Sequence, residues 1–250
     1  MLKNSNILVE IRNGKIYINE IPFSLIDFID KGDSYNNGPV EADKGNEFNL
    51  NKTRIVQNNR KRATLKVDFE GARDIVTLYI SLDNHARYAK FYFEWNNSQK
   101  NHLLEAKFEL AENIKTVYSE DLNSLIKREF DAEYDIRENL PKERGLEAKT
   151  NSAPMQRGLL IDEAQNNIGI ITKGLTQYEV YKNNLYIPIL RATGVISNPQ
   201  NPARTTPAGP PIETVKSQML GKNIAEFYVF FGNENDFEVV RDTIYNYLIV

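Results

Sequence analysis

At 250 residues, with 31 basic against 34 acidic side chains and a net charge of -3, the chain lacks the basic excess of a general nucleic-acid binder. It contains no Cys, which excludes a disulfide framework and thiolate metal sites and suits a reducing, cytoplasmic location. No apolar run approaches roughly 18 residues, so no membrane-spanning helix is expected, and the N-terminus lacks the apolar stretch of a signal peptide.

The length fits one large β domain over residues 1–250. Ile7–Ile11 and Lys15–Ile18 flank Arg12-Asn13-Gly14; Asn-Gly between β-branched runs predicts a hairpin. A Gly/Asn/Pro-rich loop follows from Asp30 to about Asn51. Ala63–Phe69, Ile75–Leu82 and Tyr88–Trp95 alternate apolar with polar residues, the period of a strand with one face inward. Trp95, the only Trp, is expected in the core. Arg60-Lys61-Arg62 reads as a solvated strand entry.

Leu103–Leu110 is a further strand candidate, and Ile114–Phe130 reads as strand and loop. The second half continues with strands at Gly158–Asp162, Ile168–Thr172, Tyr178–Tyr181 and Leu185–Leu190, with a turn at Asn183-Asn184. After a Pro-rich loop over Pro199–Pro211 comes a strand at Ala225–Phe231. The one convincing helix is last: Asn235 or Asp236 can cap it, and Phe237, Val240, Ile244 and Leu248 lie at helical spacing. Many short strands and one short C-terminal helix define an all-β sandwich.

The chemistry available to such a chain is narrow. His85 and His102, the only histidines, lie in different strand-like segments and are expected at the surface or on an edge strand. No HExxH or close His/Asp triplet is present, so a catalytic zinc site is not expected. Neither a G-x-S-x-G elbow nor a phosphate-binding glycine loop occurs. Carboxylates abound, but no pair is singled out for glycoside chemistry.

Two segments stand out physically. Asp30-Lys31-Gly32-Asp33-Ser34-Tyr35 is a turn carrying acids and a phenol, groups that accept from sugar hydroxyls, stack or donate; its plain alternative is a simple turn with a core Tyr. Arg191 follows the apolar strand Ile187–Leu190 and precedes Ala192-Thr193-Gly194, where its fork of donors can reach a pocket or form a structural ion pair.

At these segments the chain resembles the C-terminal β region of glycoside hydrolase family 38, the α-mannosidases, and within it the bacterial branch that includes mannosylglycerate hydrolases. Asp30-Lys31-Gly32-Asp33-Ser34-Tyr35-Asn36-Asn37-Gly38-Pro39 is similar to the family's D-x-G-D-x-Y…P turn. Gly169–Val180 is similar to its "G-hydrophobic…GL-x-x-YEV" run. Leu190-Arg191-Ala192-Thr193-Gly194 is followed by Ala208-Gly209-Pro210-Pro211 and by Thr214, Gln218 and Gly221 in matching order.

The resemblance implies a large galactose-mutarotase-like super-β-sandwich. It implies that Tyr35 and Arg191 reach a mannoside bound at a catalytic domain, with Asp33 a weaker candidate neighbour. It places the nucleophilic Asp and the zinc in a separate N-terminal domain of the same parent chain, so this chain would need no cofactor and be inactive alone. The family's early His-x-Asp motif is absent here. Neither nucleic acid nor membrane is an expected partner, and homo-oligomerisation stays open. Two other readings compete: a stand-alone carbohydrate-binding module, and an aldose epimerase using His85 or His102 as its acid.

Overall fold

The computed structural model describes residues 1–163 and 166–246, and the backbone alone at Asn166. The chain begins with β1 (Leu2–Lys3), β2 (Leu8–Arg12), β3 (Lys15–Ile18), β4 (Ile21–Ile29), β5 (Asn46–Glu47) and β6 (Asn49–Asn58). It continues through β7 (Arg62–Glu70), β8 (Ile75–Asp83), β9 (Tyr88–Asn97), β10 (His102–Glu109), β11 (Thr116–Asp121) and β12 (Ser124–Glu129). The second half adds β13 (Ser152–Pro154), β14 (Gly158–Glu163), β15 (Asn166–Thr172), β16 (Gln177–Tyr181), β17 (Asn184–Ala192), β18 (Gly221–Phe230) and the helix α1 (Glu234–Asn246).

These strands form two sheets. The first runs β1-β2-β3-β4-β10-β17-β16-β13, with β5 on β4; the second runs β12-β11-β14-β15-β18-β9-β8-β7-β6. Neighbours pair antiparallel throughout, as in β9 with β18 and β10 with β4 and β17. The expected all-β sandwich is therefore the architecture found.

The period of two explains the packing. Leu65, Val67, Phe69, Val76, Leu78, Ile80, Phe91 and Phe93 point from the second sheet into one shared core. Phe23, Leu25, Ala106, Phe108, Leu185 and Ile187 meet them from the first. Phe91 stacks on Phe227 at 5.2 Å and meets Phe23 edge-on at 5.3 Å. Trp95 joins this core, as its alternating strand predicts.

Helix α1 packs on part of the outer face of the second sheet, its Phe237, Val240 and Ile244 against Leu160, Ile171, Tyr228 and Phe230. Gly169 makes room there: a Cβ on it would lie 2.0 Å from the Phe230 ring. Fully buried Glu120 pins the helix, accepting two bonds from Arg157 (2.7 and 2.5 Å) and one from Arg241 (3.1 Å).

Several elements differ from the sequence reading. The Asn13-Gly14 hairpin forms with φ of 50° and 74°, the positive values of a type I′ turn. The loop expected to reach Asn51 ends earlier, because Asn49–Asn58 is an edge strand almost wholly exposed; with no face to bury, it has no alternation to read. The turn before β17 lies at Lys182 (φ 54°) and Asn183, one residue early. Asn233 caps α1, accepting from the N–H groups of Asn235 (3.0 Å) and Asp236 (3.3 Å), while Asp236 accepts from the Asn233 N–H (3.1 Å). The cap is thus the reciprocal box, with Asn235 inside the helix. Leu248 lies outside the described residues.

His102 is a clear correction. It sits on β10 in the middle of the first sheet and is buried, whereas His85 is exposed as expected. Its Nδ1 lies 2.6 Å from Asp27 Oδ1 and its Nε2 3.1 Å from Asn97 Oδ1. The Asn97 amide nitrogen donates to the carbonyls of Gln218 and Met219, so the amide oxygen faces His102 and Nε2 is the donor. A polar partner on each ring nitrogen is what allows the imidazole to be buried. No helix among the described residues is long and apolar enough to cross a membrane.

Candidate functional site

The loop after β4 closes on itself. The Asp30 carboxylate accepts from the N–H groups of Gly32 (2.7 Å) and Gly38 (2.8 Å), and Lys31 N–H donates to Gly38 C=O (2.7 Å). Gly32 is required by proximity: a Cβ there would stand 2.2 Å from the Asn36 carbonyl oxygen. The Asp-x-Gly-Asp spacing is thereby a folding instruction for a compact ring of backbone.

Arg191 fills the centre of that ring. From the end of β17 it donates Nε–H to Asp30 Oδ2 (2.7 Å) and its Nη2 to the carbonyls of Asp33 (2.7 Å) and Asn36 (2.5 Å). Asp33 is equally committed and fully buried. Its Oδ1 accepts from the N–H groups of Tyr35 (3.0 Å) and Asn36 (3.1 Å), and its Oδ2 from Asn198 N–H (2.7 Å). Both oxygens also face the Arg204 guanidinium. Burial pushes the Asp33 carboxyl up, but Arg204 and the three backbone donors outweigh it and hold it at about 2. Arg204 in turn donates to Asn36 Oδ1 (2.6 Å) and the Thr206 carbonyl (3.1 Å).

Tyr35 is what this scaffold presents. It is 54% exposed, with its ring 5.8 Å from the Arg204 guanidinium carbon. A Cβ on Gly209 would come within 3.0 Å of its hydroxyl, so the Ala208-Gly209-Pro210-Pro211 segment supports the phenol's far end. The two segments singled out from sequence therefore meet: Tyr35 and Arg191 border one cleft of about 310 Å³, together with Asn37, Gln177, Glu179 and Ile136. Tyr35 is exposed at this cleft, while the hydrogen-bonding capacity of Asp33 is turned inward.

The cleft opens on the outer face of the first sheet, where Glu105, Tyr186 and Glu179 share a side by their register. Arg137, from the turn at Ile136–Glu138, lies over this face. It stacks 4.6 Å from the Phe28 ring centroid, 2.9 Å from Asp135 and 3.8 Å from Glu179. Burial raises the Glu179 carboxyl, opposed by Arg137. Glu105 is pushed well above the usual carboxylate range, by burial first and then by Glu179, with Arg137 opposing. Its Oε1 has no hydrogen-bond partner, which a proton on the carboxyl makes tolerable.

Sequence reasoning missed Arg204 and gave no role to Glu179 or Glu105. Arg204 is an isolated cation in an irregular loop, and only its partner's location reveals its use. Glu179 stood in a quoted motif, but its neighbour Glu105 comes from β10, far away in sequence. Among the described residues no three His, Asp or Glu side chains converge to hold a metal ion. The zinc that the resemblance assigns to a separate domain finds no ligand set among them.

Comparison with solved structures gives matches over the whole chain. An α-mannosidase from Enterococcus faecalis V583 superimposes on 100% of this chain with a TM-score of 0.77 at 16% sequence identity. A glycosyl hydrolase family 38 protein from Enterococcus faecalis does so with a TM-score of 0.78 at 14% identity. At these identities the likeness establishes a shared fold. This chain spans only 31% and 32% of the length of those two chains. No family model and no curated protein matches the sequence.

Proposed function

We propose that this chain is the C-terminal β-sandwich portion of an α-mannosidase-type, retaining glycoside hydrolase of family 38, and that it completes the sugar site of a catalytic domain on the same parent polypeptide. The observation that carries this reading is the superposition of all of the chain on about a third of two such hydrolase chains. The locked turn that exposes Tyr35 supports it: a phenol fixed at both ends can stack on a sugar ring or donate to its hydroxyls at low entropic cost.

In this reading Tyr35 touches the mannoside. Arg191 and Asp33 are positioning residues, bonding the turn's carbonyls and N–H groups so that the ring keeps one orientation. The nucleophilic carboxylate that forms the glycosyl-enzyme and the zinc that helps hold the sugar belong to the other domain. The setting is a reducing cytoplasm, consistent with a chain that uses no Cys.

The test is hydrolysis of an aryl α-mannoside. The chain alone gives no turnover with or without added zinc. Joined to the catalytic domain encoded beside it, it supports turnover that falls at least tenfold in kcat/KM with Tyr35→Ala. Zinc-dependent turnover by the isolated chain would sink the proposal. A second reading, a stand-alone sugar-binding module, draws on the cleft beside Tyr35 with Gln177, Glu179 and Asn37 on its walls. Saturable binding of mannose by the chain alone, lost in Tyr35→Ala, would favour it.

A further inference from the structure

A larger cleft lies elsewhere, on the second sheet. It measures about 820 Å³ and shares no residue with the Tyr35 cleft. One wall is the turn between β6 and β7, carrying Arg60 and Lys61, together with Arg62 at the start of β7. The other is the turn between β8 and β9, carrying His85 and Arg87, and α1 closes one side with Val239, Val240 and Thr243. A second hollow of about 350 Å³ continues it, sharing Arg62, Asp83, Tyr88 and Thr243 and adding Lys90, Lys173 and Tyr228.

The charge here runs against that of the protein. Residues 49–62 hold five basic side chains and no acid in a chain of net charge -3. Part of the charge is held in place by carboxylates. Asp83 takes both Nε (2.5 Å) and Nη2 (2.9 Å) of Arg62, Asp236 takes Arg87 (2.8 Å), and Glu226 takes Lys90 (2.6 Å) and Lys173 (3.1 Å). Among the described residues, Arg60 and Lys61 have no carboxylate within ion-pairing distance. Six cations thus face three carboxylates along one groove. Arg62, fixed by two bonds, is oriented in advance, and two free cations stand beside it. Such an arrangement pays little reorganisation to take an anion.

We propose that this groove binds a small ligand carrying two or more anionic groups, phosphate or carboxylate, with Arg60 and Lys61 as its direct contacts. Its size suits a ligand of a few sugar units or a short polyphosphate, since pockets for small molecules run to about 300–1,000 Å³. The site is independent of the mannosidase reading and stands or falls separately from it.

Calorimetric titration of the whole chain at low salt tests it, with tripolyphosphate and a hexose bisphosphate as probes and mannose as the neutral control. Both anions, or one of them, bind saturably and mannose does not enter this site. The tighter of the two tells whether the sugar or only its phosphates is recognised. The double substitution Arg60→Ala/Lys61→Ala weakens binding at least tenfold, and Tyr35→Ala leaves it unchanged. Lys52→Ala/Arg54→Ala removes the same charge from β6 outside the groove and costs less than threefold. These surface positions leave the fold intact, which circular dichroism checks. Failure of both anions to bind, or equal losses in the two double variants, overturns the proposal.

Discussion

Around Phe91 the molecule is held by rings: Phe23, Phe108 and Phe227 lie within 5.1–6.5 Å of one another or of Phe91. Around Asp33 it is held by charges, in loops with little regular structure, where Asp30, Asp33, Arg191 and Arg204 bond to each other and to backbone. Both regions are buried, yet they ask different things of sequence. The core needs volume and alternation, and tolerates exchange of one apolar residue for another of like size. The loop cluster needs particular donors opposite particular acceptors, and a missing partner strands a buried charge. This difference explains how the loop cluster can fix the orientation of one exposed ring, Tyr35, while the core only specifies the sandwich.

The comparison can be broken at its strongest points. Phe227→Ala should cost about 3–5 kcal/mol, the range for emptying a buried aromatic site, at every pH where the protein is folded. Asp33→Ala should cost about as much, ~3–5 kcal/mol, because Arg204 is left buried without its carboxylate. Urea unfolding measures both. Acid separates them. The Asp33 carboxyl is held at about 2 against an ordinary 3.8, so its folded-state value is depressed. Its contribution is present above the ordinary value and is lost as the pH falls through 4 toward 2; it is worth about 2 kcal/mol. Wild type and Phe227→Ala should lose this together on acidification, while Asp33→Ala has none to lose. Parallel acid curves for all three would refute the assignment of the shift to Asp33.

How far these regions could be read from sequence follows from the same physics. β7, β8 and β9 bury one face each, so alternation announced them to within two residues. β6 buries neither face and left no such trace. In the loop cluster, Asp30, Gly32, Asp33 and Tyr35 were legible because a tight turn dictates its own residues locally. Arg204 was not, since its need arises 171 positions away. His102 was misread for a related reason: only the packing of β4 and β10 supplies the Asp27 partner that lets a histidine be buried. Local requirements were visible; pairings made by topology were not.

A smaller effect probes a buried acid that lacks such partners. Glu105 is buried like Asp33 but has an unpartnered oxygen, and its carboxyl is pushed well above 4.5. A raised carboxyl binds its proton more tightly in the folded state, so stability is highest near or below 4.5 and declines as pH rises through the folded value. The groups facing Glu105 are Glu179, Asp27 and Asp30, which add to this decline, and Arg137, which opposes it. Glu105→Gln should flatten the decline, so that its stability at pH 8 relative to pH 5 exceeds that of wild type. An unchanged pH slope would place the titration on Glu179 instead.

The smallest structural effect should come from the residue of greatest proposed functional weight. Tyr35 is half-exposed, and its ring lies 5.8 Å from the buried Arg204 guanidinium carbon, near the outer limit of a cation–π contact, worth ~0.5–1 kcal/mol. Tyr35→Ala should therefore shift the urea midpoint very little, and Tyr35→Phe hardly at all. If sugar recognition uses the ring face, Tyr35→Phe keeps it and Tyr35→Ala loses it; if it uses the hydroxyl, both lose it. A large stability loss in Tyr35→Ala would mean that the ring is a keystone of the loop cluster. The scaffold and the group it displays would then be one unit, and the division of labour between Asp33, Arg191 and Tyr35 would have to be abandoned.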